Sequence, residues 1–232
     1  MNASAGVNWP RWSGETAIVV GSGPSASFDS LEPLRDKVRV IAIKTSWLLV
    51  PWADVLYGSD RGWWIANRGA VEFSGFKASA SPSACRAYKL RQTTPKLGAK
   101  ILTGETGVVG SGLKNGDGHS GFQAINLAVQ FGANRVVLFG FDMTLANGAR
   151  WHSDTRGVGK LNSVRVEQWR ECLDACASQF EQLGVEVLNA SVHSALTAYR
   201  KVAFNELVDL VSLSATAYRN HPSGRVWDCM AG

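Results

Sequence analysis

With 232 residues, 45% hydrophobic and 19% charged, the chain is sized for one α/β domain and is neither disordered nor collagen-like. No stretch approaches about 18 uninterrupted apolar residues, which excludes a transmembrane helix, and Met1 to Pro10 lacks a basic segment followed by an apolar one, so a cytoplasmic protein is expected. The formal net charge of +5 favours an anionic partner (a nucleotide, a nucleic acid or an acidic glycan) without choosing among them.

After a polar leader over 1–15, Thr16-Ala17-Ile18-Val19-Val20 reads as a strand that runs into Gly21-Ser22-Gly23-Pro24-Ser25-Ala26, a glycine turn opening a helix. Val38 to Ile43 follows closely enough to complete a βαβ unit with a short crossover. Asp54 to Tyr57 is a third strand, with Gly58-Ser59-Asp60 at its carboxyl end. Over 72–118, Gly, Ser, Thr and Lys interrupt every apolar run, so a loop-rich insertion or lid is expected, with Lys100 to Thr103 its best strand. From Ser120 the apolar positions 122, 125, 128, 129 and 131 share a helical face, with Ser120 a natural N-cap and Gly132 a stop. Arg135 to Asp142 reads as a buried parallel strand ending in a small residue and a carboxylate. A helix over 164–183 closed by Gly184, a strand from Val185 to Leu188 and a helix over 196–213 follow, and the tail over 214–232 has no pattern. The alternation predicts a Rossmann-like, doubly wound, mostly parallel sheet in a single domain over 16–213.

In such a sheet ligands gather at the carboxyl ends of the strands, where loop amides and helix N-termini point. The glycine turn fits G-x-G-x-x-G/A, in which glycines let backbone amides approach phosphate oxygens. Pro24 removes one amide, and the second strand ends in Lys44-Thr45-Ser46 without a ribose-binding acid, which argues against an NAD enzyme. Gly118-His119-Ser120-Gly121 leads into a helix whose N-terminus favours an anion, so Ser120 is a candidate cap and ligand contact at once. Asp142 and Asp60 close strands and are candidate metal, ribose or base contacts. Trp151-His152-Ser153-Asp154 lies in a loop with Arg150, Arg156 and Lys160, which pairs a proton-transferring His with cations able to neutralise a leaving phosphate. His119, His193 and His221 lack metal-site spacing, no P-loop is present, and Cys85, Cys172, Cys176 and Cys229 read as free thiols rather than zinc ligands. The tryptophans Trp47, Trp52, Trp63 and Trp64 read as packing residues.

Several blocks in order, Ile18 to Ser25, Ser120 to Ala128, Val137 to Met143, Trp151-His152 and Leu188-Asn189-Ala190-Ser191, resemble the MptE-like (DUF115) Rossmann-like domain. That group includes 6-hydroxymethylpterin diphosphokinase and the motility accessory factor glycosyltransferases, and is similar to bacterial CMP-sialic acid-dependent sialyltransferases. The resemblance covers about 16–195 in islands. It implies a nucleotide at Gly21, Ser22, Gly23 and Ser25, with Ser120 and Gly121 beside it, Asp142 at the strand edge and His152 as general base; Pro24, Asp60 and Asn189 are further candidate nucleotide contacts. Ser22 stands where those sialyltransferases carry Asn, and no tyrosine aligns with the ones that assist phosphate departure there, Tyr57 and Tyr88 being unaligned.

The resulting expectation is a transferase, a glycosyltransferase with a nucleotide-activated, CMP-sugar-like donor and a small-molecule or glycan acceptor. One alternative is diphosphoryl transfer from ATP to a small, pterin-like alcohol, with Asp60, Asp142 or Asp154 holding Mg2+. Another is a non-catalytic nucleotide or nucleic-acid binding module, which the charge admits but the motifs do not favour. Homo-oligomers are within the expected assemblies.

Overall fold

The structure is a computed structural model that describes residues 8–27, 29–113, 118–154 and 156–220, without the side chains of 213–220. In chain order the strands and helices are β1 (Thr16–Val20), β2 (Arg39–Ile43), β3 (Val55–Tyr57), α1 (Arg61–Ala66), β4 (Phe76–Ser79), α2 (Pro82–Tyr88), β5 (Arg91–Gln92), β6 (Thr94–Lys96) and β7 (Val108–Gly110). They continue with α3 (Ser120–Gln130), β8 (Arg135–Phe139), α4 (Ser163–Asp174), α5 (Ala177–Gln182), β9 (Glu186–Asn189), β10 (Arg200–Lys201) and α6 (Phe204–Asn220). Eight strands form one sheet in the order β10-β9-β8-β1-β2-β3-β4-β5, every adjacent pair parallel, and β6 and β7 make a small parallel pair beside it.

The period of two along β1 assigns its side chains to opposite faces. Ala17 and Val19 join a core with Phe122, Ile125 and Ala128 of α3 and with Leu173 and Phe180 of α4 and α5. Ile18 and Val20 join the other core with Leu34, Trp63, Trp64 and Phe73, and with Leu207 and Val211 of α6. Covering both faces is what makes β1, β2 and β8 near-continuous apolar runs, and it bears out the doubly wound expectation. The order reverses between β1 and β8: the chain leaves β1 toward β5 and returns to β8 on the other side. That crevice is where an open parallel sheet receives ligands.

Several local expectations are corrected. The sheet runs on through the stretch expected to be irregular: β4, α2 and β5 lie within 72–118, and β4 escaped notice because a short strand one place in from the sheet's edge, with two half-exposed residues, Phe76 and Lys77, needs no apolar run. Lys100 to Thr103 forms no strand; the amides of Ile101 and Leu102 bond instead to the side-chain oxygens of Gln179 and Asn126, at 3.0 and 3.1 Å. The helix expected over 164–183 is two, α4 and α5, and the one expected over 196–213 begins only at Phe204, after β10. His119, not Ser120, caps α3, its Nδ1 accepting the Phe122 amide at 3.3 Å. Part of the leader is core, since Trp12 is buried and its amide donates to the Phe131 carbonyl. Trp63 and Trp64 are buried too, their indole N–H groups donating to Thr45 Oγ1 and the Gly58 carbonyl, so the packing reading of these tryptophans holds. His221 and Cys229 lie outside the described residues.

Candidate functional site

A cavity of about 520 Å3 opens over the carboxyl ends of β1, β2, β3 and β8, within the range that holds a nucleotide-sized ligand. Gly21, Ser22, Gly23, Asp60, Ser120, Gly121 and Asp142 all line it, so the first turn and the tip of α3 share one space. Pro24, Ser25, His152, Asp154 and Asn189 stand back from its wall.

The glycine turn is pulled against the end of β8. Gly21 N donates to the Phe139 carbonyl at 2.7 Å and Gly23 N to the Gly140 carbonyl at 2.8 Å. The amide and hydroxyl of Ser25 both donate to the Asp142 carboxylate, the hydroxyl at 2.7 Å. This corrects the phosphate-cradle expectation: these three amides point into the protein, because a turn at the switch point must satisfy β8 as well as any ligand. The carboxylate of Asp142, 2% exposed at the cavity wall, is bonded to Ser25 and so shapes the turn. Gly23 is glycine for packing, since a Cβ there would sit 2.0 Å from Asp142 Oδ2. A second layer supports the same strand end: Ser191 Oγ accepts the Phe141 amide at 2.8 Å, and Asn189 Oδ1 accepts the Ser191 amide at 3.0 Å. Asn189 therefore shapes the turn after β9, two strands from β1, and lies outside the cavity lining.

The anion-favouring groups come from elsewhere. The first amides of α3, at Ser120 and Gly121, have no carbonyl one turn back to bond, and the helix dipole adds positive potential there. The Ser120 hydroxyl is tied to Ser59, Oγ to Oγ 2.7 Å, which fixes the tip of α3 to the end of β3. Four cations line the cavity, Lys44, Arg150, Lys160 and Arg165, against the carboxylates of Asp60 and Asp142. Lys44 pairs with Asp60 at 2.5 Å and Asp142 is taken by Ser25, so Arg150, Lys160 and Arg165 have no carboxylate partner among the described residues. Arg150 donates to the Gly159 carbonyl at 3.2 Å.

The loop segments 144–154 and 156–162 cover the cavity. The Trp151 amide donates to the Ser22 carbonyl at 3.1 Å and its indole to Ser46 Oγ at 3.3 Å, which ties the loop to the glycine turn. Further along, Gly157 (φ +69°) abuts Gly62 of α1 so closely that a Cβ on Gly157 would fall 2.1 Å from the Gly62 carbonyl. Gly157→Ala should therefore unseat the loop: ligand affinity is expected to fall by about tenfold while the melting temperature moves by only about 3 °C, as calorimetry and thermal unfolding would measure.

His152 sits on this loop beside Arg150, its ring edge-on to Trp151 at 4.9 Å, and its Nδ1 is buried without a partner among the described residues. Burial first, then the Arg150 charge, lowers its pKa below the ordinary imidazole value, which leaves it neutral at physiological pH. Asp154, two residues on, opposes that lowering but forms no ion pair with His152 among the described residues. Asp154 gives its carboxylate to Arg156, at 2.9 Å, and that partner holds its pKa down at about 2. Asp60, Asp142 and Asp154 thus have three separate partners, and no group of three metal-ligating side chains gathers among the described residues. Tyr57 is buried and donates to Gln123 Oε1 at 2.5 Å, and neither it nor Tyr88 lines the cavity. Sequence reasoning missed Arg165 and Trp169 as cavity residues: their spacing of four on α4 puts them on one face, but nothing local tells which face meets the site.

A parallel sheet with a cationic cavity at its switch point places the chain among Rossmann-like α/β proteins. No protein-family model matches the sequence, and no curated protein matches it. The chain is similar in structure to the sialyltransferase CstII from Campylobacter jejuni in complex with a substrate analogue, cytidine-5′-monophosphate, with a TM-score of 0.52, 9% identity, and coverage of 83% of this chain and 86% of that one. It is likewise similar to the sialyltransferase CST-II in complex with a trisaccharide acceptor and CMP, with a TM-score of 0.52, 11% identity, and coverage of 82% and 87%. At these identities the likeness is one of fold, which is sialyltransferase-like. No helix among the described residues is long and apolar enough to cross a membrane.

Proposed function

We propose that the chain is a transferase that binds a nucleotide-activated sugar, CMP-sugar-like, and passes the sugar to a small-molecule or glycan acceptor. One observation carries this reading: the N-terminal amides of α3 and three cations without carboxylate partners among the described residues converge on one nucleotide-sized cavity at the switch point of the sheet. The sialyltransferase-like fold and the residue blocks that resemble the MptE-like domain support the same conclusion.

In this reading α3 and the cations hold the donor phosphate and stabilise its charge as the sugar departs, while His152 accepts the proton of the acceptor hydroxyl. His152 stands behind the wall that Arg150 forms, so this step requires the 144–162 loop to move its ring inward when substrates bind. The diphosphokinase alternative draws no support from the separated carboxylates.

Thermal unfolding with CMP, CDP, UDP, ADP, ATP and S-adenosylmethionine, each with and without Mg2+, tests the proposal. CMP at about a hundred times its Kd is expected to raise the midpoint by roughly 5–10 °C. A shift with ATP alone, and only with Mg2+, would redirect the reading to diphosphoryl transfer, and no shift with any nucleotide would overturn it.

A further inference from the structure

The wall opposite the glycine turn carries an imidazole that the proton-transfer scheme does not use. His119 caps α3 by accepting the Phe122 amide on Nδ1, so the proton of the neutral ring resides on Nε2. The ring stacks on Trp169, with centroids 4.5 Å apart and planes 18° from parallel, and meets Phe141 edge-on at 6.5 Å. Held by the cap at one edge and by the indole of α4 on one face, it keeps a single orientation. His119 lines the cavity, and its Nε2 has no hydrogen-bond partner among the described residues.

The charges that face it are Lys44, from the end of β2, and Asp60, from the end of β3, and these two are already paired with each other. Burial, and after it Lys44, pushes the pKa of His119 down to about 3, with Asp60 opposing, and the positive end of the α3 dipole acts in the same direction. The ring is therefore neutral at physiological pH.

Resting on the nucleotide reading, we infer that His119 contacts the ligand: its Nε2–H is a fixed, uncharged donor to an anionic oxygen of the nucleotide at the α3 tip. Trp169 is the positioning residue that sets the plane of the ring. An uncharged donor keeps its contact across pH and neither takes up nor releases a proton on binding, which separates its task from that of Arg150, Lys160 and Arg165.

Titration of CMP by calorimetry, on the wild-type chain, His119→Asn and Trp169→Leu, tests this at pH 5.5 and 8. Asn keeps a cap for the Phe122 amide through its carbonyl oxygen but lacks the far donor and the stacked ring. His119→Asn is expected to melt within about 3 °C of the wild type without ligand and to bind CMP about tenfold more weakly, by the same factor at both pH values. Trp169→Leu, which leaves the cap intact, should lose about threefold. Wild-type affinity in His119→Asn, or a deficit that shrinks as pH rises, would overturn the inference, the second result meaning that an imidazolium binds. Should His119→Asn fail to fold, unchanged affinity in Trp169→Leu overturns it. A wild-type chain that binds no nucleotide sinks the functional proposal and this inference together, whereas normal wild-type binding beside an unimpaired His119→Asn sinks only the latter.

Discussion

Gly23→Ala is expected to destabilise the protein by about 3 kcal/mol, lowering the melting temperature by roughly 6–12 °C, and to abolish nucleotide binding. The new Cβ would meet Asp142 Oδ2 at 2.0 Å and the Gly140 carbonyl oxygen at 2.7 Å. Neither neighbour can yield cheaply. The carbonyl belongs to backbone that accepts the Gly23 amide, and the carboxylate is 2% exposed and already bonded to Ser25. Relief therefore requires pulling the turn off β8, which strands a buried carboxylate without its donors and moves one wall of the cavity. Calorimetric unfolding together with CMP titration checks both parts, and a variant with wild-type melting would show that the turn is not packed as described.

His152→Ala is expected to lower turnover by about a thousandfold while CMP affinity stays within about twofold, because general-base catalysis contributes to the transition state and not to donor binding. The pH profile of kcat/KM carries the same information. A base must be deprotonated to act, and the folded pKa of His152 lies below the free imidazole value, so the rate should rise with pH through an acidic midpoint and be flat by pH 7. His152→Ala should erase that acidic limb. Persistent turnover would remove His152 from the chemistry and leave the nucleotide site standing, since Arg150 and the α3 tip do not depend on it.

Much of the framework is legible from local pattern. The β-branched run Thr16–Val20, the run Arg135–Phe139 and the face of α3 around Phe122 and Ile125 report burial through their own periodicity, because a strand covered on both faces and a helix packed on one must each carry that period. A short strand such as Phe76–Ser79, one place in from the sheet's edge, reports little, since half of it is only partly buried and the bonds that define it belong to its neighbours.

The candidate site divides along the same line. Gly21, Gly23, Ser120 and Asp142 are marked by their place at strand ends and helix starts, so the sequence alone determined that they would meet at the carboxyl edge of a parallel sheet. Which of their groups remain free for a ligand is settled by partners more than a hundred positions away: Asp142 takes the amide and hydroxyl of Ser25, while Trp151, on the covering loop, reaches Ser46. Only the tertiary structure turned the glycine turn's amides inward, brought Arg165 and Trp169 to the cavity wall and laid His119 against that indole. Periodicity is a local consequence of burial, whereas the choice of hydrogen-bond and stacking partner is made between segments that only the closed sheet brings together.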